Sequence, residues 1–158
     1  MNREEFISLV EKNDRLYGNY TSTLPYIKRR TKRIANADDK IIGLAEYLHS
    51  EGIRFMVMES ILRPSAKSAM FADIYIPKYR IYVRSVGNSD NSKKSAEIFY
   101  FHTQTTYYPI FSRHNEGFEF VLMKLKNTIK KAESNPIKSR YVPESTKKKK
   151  QRIKGIKQ

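Results

Sequence analysis

Cysteine is absent from the sequence, which removes disulfide frameworks, thiolate zinc sites, iron–sulfur clusters and a cysteine nucleophile together. Histidine is scarce: His49, His102 and His114 lie in separate segments, and no HExxH-type helix runs through them. Acidic residues are also few, 16 against 31 lysines and arginines, and the formal charge of +15 draws the chain to polyanions. Nucleic acid, DNA or RNA, is therefore the expected partner. No apolar run approaches the roughly 18 residues of a membrane span, and the opening MNREEFISLV lacks the basic and long apolar regions of a signal peptide. The expectation is a soluble chain with no membrane partner, cytoplasmic or nucleoid-associated and not secreted by a signal peptide. The sequence shows no internal repeat at solenoid periods and no helix-turn-helix, zinc-finger or RNP signal.

What is present fits one α/β domain between two basic extensions. The chain of 158 residues is 39% hydrophobic, below the roughly 45–50% of an average globular domain, so part of it is expected outside the core. Positions 1–38 read as that part. Residues 3–16 make a short amphipathic helix carrying Phe6, Leu9 and Val10, and a basic N-terminal arm follows, with five cations between Lys28 and Arg33. From Asp38 the pattern changes. Ile41, Ile42, Leu44, Ala45 and Leu48 recur at helical spacing, with Asn36 or Asp38 as cap and Gly52 as stop, which predicts a helix over 39–51.

Three strands are predicted next, over 53–61, 70–76 and 80–86, the last two forming a hairpin. Residues 88–95 read as a polar loop, 97–101 as a strand or a helical turn, and 107–111 as a strand whose Pro109 favours an edge. A second amphipathic helix spans 116–131. Beyond it, nine cations face only Glu133 and Glu144 over 132–158, the signature of a disordered basic C-terminal linker and tail. The expected division is 1–35 for the N-terminal helix and arm, 36–131 for the α/β domain, and 132–158 for the tail. The fold class is a helix–three-strand meander–strand–helix sandwich.

The helix 39–51, the run Gly52-Ile53-Arg54-Phe55 leading to Glu59, the segment Ala72-Asp73-Ile74-Tyr75-Ile76-Pro77 and the strand Arg80-Ile81-Tyr82-Val83 carry a resemblance. Over about residues 39–129 the chain resembles the restriction-endonuclease-like (PD-(D/E)xK) fold, in particular its very-short-patch-repair-like branch. The resemblance implies a metal-binding aspartate at Asp73, and an acid, a spacer and a lysine on the next strand. That strand instead reads Arg84-Ser85-Val86. A guanidinium there repels a cation but binds phosphate well, so the resemblance implies the fold more than the activity.

Asp73 is a carboxylate inside an apolar strand, which needs a partner. Three readings stay open: a structural ion pair with Arg84 across the hairpin, a catalytic and metal-binding role, or simple exposure. In the second, the protein is a Mg²⁺-dependent endonuclease using Asp73 with Glu46 or Glu59, although Glu46 also suits a solvated helix face and Glu59 a strand edge. The reading leans away from an enzyme and has no cofactor. The expected nucleic-acid contacts are Arg29, Arg30, Arg33, Arg84, Arg113 and the tail lysines Lys147, Lys148, Lys149 and Lys150, with Tyr82 and Tyr108 as the aromatic contacts. A third class is a structural, virion or ribosome-associated protein with a protein assembly partner, whose tail neutralises nucleic acid.

Overall fold

Asp38 and Gly52 bracket the helix that anchors the core. The Asp38 side chain accepts the Lys40 backbone N–H at 2.8 Å, and Gly52 takes a left-handed φ of +68° that ends the helix. In this computed structural model, which describes residues 1–17, 24–65 and 68–137, that helix is the third of five. The helices are α1 (Arg3–Tyr17), α2 (Leu24–Ala35), α3 (Asp39–Ser50), α4 (Asp90–Thr103) and α5 (Phe118–Ser134). The strands are β1 (Met56–Ser65), β2 (Ser68–Ile76), β3 (Ile81–Val86) and β4 (Tyr108–Arg113). The tail lysines 147–150 lie outside the described residues.

The strands form one mixed sheet in the order β1-β2-β3-β4. β1 and β3 both run antiparallel to β2, whereas β4 runs parallel to β3 after the α4 crossover. The main core joins Phe6, Leu9 and Val10 of α1 and Ile34 of α2 to Ile41, Leu44 and Leu48 of α3, Val121 and Leu125 of α5, and the sheet residues Val57, Ile74, Ile76, Ile81, Val83 and Ile110. A smaller cluster of Ala72, Tyr82 and Phe99 places α4 against the sheet apart from the main core. Close packing of α3 on α5 depends on Gly43, where a Cβ would stand 2.6 Å from the Phe118 ring. No helix among the described residues is long and apolar enough to cross a membrane.

Two sequence expectations are corrected. Positions 1–38 are not wholly outside the core: Phe6 is fully buried, and Ile34 and Ala37 join the same cluster. The segment 88–95 is not a loop, because Ser89 caps α4 by accepting the Ser92 N–H at 3.1 Å. Serine, asparagine and aspartate favour turns and helix starts alike, so composition alone did not separate the two. Residues 97–101 accordingly belong to α4, and the meander is joined to its last strand by a helix.

β4 is an edge strand, as Pro109 suggested. Tyr108 and His114 donate their N–H groups to Arg80 and Val86, so alternation turns residues 109, 111 and 113 outward. Several of their outward backbone groups are absent or covered. Pro109 has no N–H, Lys124 Nζ donates to the Phe111 carbonyl at 3.1 Å, and the Arg113 N–H reaches Glu116 Oε1 at 2.8 Å. Lys40 Nζ donates to the Arg113 carbonyl at 2.6 Å.

Candidate nucleic-acid interface

The β2–β3 ladder pairs Ile76 with Ile81, Tyr75 with Tyr82 and Ile74 with Val83. One step further, the Asp73 carboxylate takes over, its Oδ2 accepting the Ser85 N–H at 2.7 Å. Asp73 is only 4% exposed. Burial pushes its pKa above the usual carboxylate range, opposed by the Ser85 amide and by the charges of Arg33 and Arg84 and reinforced by Asp38. The ion pair expected between Asp73 and Arg84 does not form. Arg84 instead donates to the Phe71 carbonyl and to Ser95 Oγ (3.0 Å), and its guanidinium lies 4.6 Å from the centre of the Phe99 ring. Residues opposite each other on a hairpin share a neighbourhood, but either side chain can be captured by nearer backbone groups.

Phe71 gathers three arginines. Its carbonyl accepts Arg84, while Arg29 and Arg33, one turn apart on α2, lie 5.5 and 5.8 Å from its ring centre. Arg33 is half-buried, and its Nε is buried with no hydrogen-bond partner. Arg29, Lys28 and Lys32 are exposed on the same helix. Arg33 and Arg84 both act on the carboxyl of Asp73, so guanidinium groups outnumber that buried acid. Such a group of planar donors favours an anionic oxygen ligand such as phosphate.

The remaining expected residues divide sharply. Arg30 is corrected from phosphate contact to internal staple: it forms a two-pronged bond to Asp14 (2.7 and 2.9 Å) and donates to the Val57 and Met58 carbonyls (2.8 and 3.2 Å). Met58, within β1, has a left-handed φ of 51°, so Arg30 braces a strained stretch of strand. Tyr82 is corrected from nucleic-acid contact to core residue. It is fully buried, its hydroxyl shares a 2.6 Å hydrogen bond with Thr103, and burial pushes its pKa up to about 12. Tyr108 packs against the main core, and its hydroxyl donates to the Asn135 carbonyl. Arg113 is exposed at the end of β4.

Glu46 is exposed and pairs with the Met1 ammonium, while Glu59 is buried on β1 opposite Ala72. No three His, Asp or Glu side chains among the described residues are grouped to hold a metal ion. A hard cation such as Mg²⁺ needs converging oxygens, and the guanidinium groups around Asp73 do not fit it. Sequence reasoning missed Phe71 as the organiser of the arginines. A phenylalanine in an apolar strand carries no signal of the cations that a neighbouring helix will lay over it.

The structure thus defines an α/β protein with a mixed four-stranded sheet and an arginine cluster at the end of its central hairpin. No protein-family model matches the chain, and neither a curated protein nor a solved structure matches it.

Proposed function

We propose that the protein binds nucleic acid through phosphate contacts of Arg29 and Arg33, with Arg113 and the basic tail adding charge, and that it does not hydrolyse its ligand. The observation carrying this reading is the grouping of Arg29, Arg33 and Arg84 at Phe71, with Arg33 and Arg84 also acting on the buried carboxyl of Asp73. The resemblance to restriction-endonuclease-like proteins supports the same reading. Asp73 and the strand that follows it are the places where that family would gather metal ligands, and here they meet through a backbone amide with arginines beside them. The scaffold of such an enzyme then serves binding, its cation site replaced by a phosphate site.

The test is fluorescence anisotropy with labelled duplex and single strands across a salt series. Each phosphate contact contributes a slope of roughly −0.7 to −0.9 in log K against log salt. Replacing Arg29 and Arg33 together by Ala should flatten that slope by about 1.5. Absence of binding at low salt would overturn the proposal in favour of a protein assembly partner. Incubation of plasmid and RNA with Mg²⁺ or Mn²⁺ should leave both intact. Cleavage lost in a folded Asp73→Asn variant would install the endonuclease instead.

A further inference from the structure

A second feature lies between α4 and β4. Lys93, Glu97 and Tyr100 of α4 and Pro109, Phe111 and Arg113 of β4 line a cavity of about 430 Å³ that opens to solvent. Its volume falls within the roughly 300–1,000 Å³ of small-ligand sites. The lining combines three kinds of chemistry. Tyr100 is 46% exposed although it is large and aromatic, and it meets the Phe111 ring edge-on with centres 6.3 Å apart. Lys93 and Arg113 supply two exposed cations. Glu97 supplies one exposed carboxylate.

Resting on the nucleic-acid reading above, we infer that this cavity holds one nucleotide of a single strand, its base against Tyr100 and Phe111 and its phosphate between Lys93 and Arg113. A base offers a flat face to aromatic rings whatever its sequence, and the phosphate requires cations within the reach of one sugar. A ligand without phosphate leaves Lys93 and Arg113 unused, and one without a ring leaves Tyr100 exposed. The carboxylate adds selectivity. Glu97 accepts hydrogen bonds and donates none when ionised, so it favours a base with an amino group at its edge, as in cytosine, over uracil. An unpaired base is needed because a duplex presents edges rather than faces. Phe101, one turn beyond Glu97 and 70% exposed, extends the aromatic surface outward for a neighbouring base.

The experiment measures the full chain against labelled oligo(C) and oligo(U), with CMP and UMP as free-nucleotide arms and a duplex of equal charge as reference. Tyr100→Ala should weaken oligo(C) binding about tenfold and leave the duplex within twofold. Glu97→Gln should narrow the preference of oligo(C) over oligo(U). Lys93→Ala should weaken CMP as well as the oligonucleotide if the cavity takes a phosphate. Binding of CMP as tight as that of oligo(C) would make the ligand a free nucleotide and overturn the strand assignment. If Tyr100→Ala leaves oligo(C) unchanged while Arg29→Ala weakens it, the cavity inference fails and the phosphate reading stands. If no nucleic acid binds at all, both fail.

Discussion

The Asp73 carboxylate stands in for a backbone carbonyl, accepting the Ser85 N–H at 2.7 Å where the β2–β3 ladder leaves off. It does so while buried, and burial raises its pKa. A raised folded-state pKa means that the native state holds this proton more tightly than the unfolded chain, whose aspartate titrates near about 3.9. The associated stability is present below that pH and is lost as pH rises through the folded value. Urea midpoints between pH 3 and 8 should therefore fall less steeply with rising pH in Asp73→Asn than in the wild type. Asn keeps an oxygen for Ser85, whereas Asp73→Ala leaves a buried donor unpaired and should cost about 1–3 kcal/mol throughout. Parallel pH profiles for the wild type and Asp73→Asn would contradict this account.

Glu116 has the opposite sign. Burial works against its ionisation, but the hydrogen bonds from Lys124 and the Arg113 N–H and their charges outweigh it, and its pKa lies below the usual carboxylate range. A depressed pKa contributes stability above the unfolded value of about 4.3 and loses it as pH falls through the folded one. Glu116→Gln should be less stable than the wild type near neutrality, and the difference should close toward pH 3 in thermal melts.

Arg30 and Arg29 are adjacent in sequence and opposite in consequence. Arg30→Ala strands Asp14 and releases two β1 carbonyls, and it should cost about 3 kcal/mol by chemical denaturation. Arg30→Lys should recover only part of this, because an ammonium cannot reproduce the fork. Arg29→Ala, which removes an exposed cation over Phe71, should cost about 0.5–1 kcal/mol. Equal losses would show that Arg29 is part of the core as well.

Ser112 sits opposite Ser85 in the β3–β4 register, 1% exposed, and its hydroxyl has no hydrogen-bond partner. Removing a buried polar group that bonds nothing relieves its desolvation cost. Ser112→Ala should raise stability by about 1 kcal/mol, a shift of about 2–4 °C in Tm. A loss would mean that the hydroxyl is bonded in solution.

The amphipathic helices were legible in the sequence because α3 and α5 repeat apolar residues at three- and four-residue steps. The β2–β3 hairpin was legible from β-rich runs flanking Pro77 and Lys78. α4 was hidden by its polar first turn, whose residues serve loops equally well. Asp73 stood out as a carboxylate in an apolar strand, but its partner did not, because a backbone amide leaves no mark in sequence. The cation run from Lys28 to Arg33 signalled charge without direction. Only the packed helix shows that Arg30 faces Asp14 and β1 while Arg29 remains exposed.

The covering of β4 by Pro109, Lys40, Glu116 and Lys124 bears on how copies of this protein can meet. A strand from another molecule seeking to extend the sheet there would have to displace these side chains and would still find a proline in its path. Sheet-to-sheet polymerisation is thereby closed off at this edge. Copies held at high local concentration, as on the nucleic acid proposed above, can crowd together without fusing into a continuous β-structure.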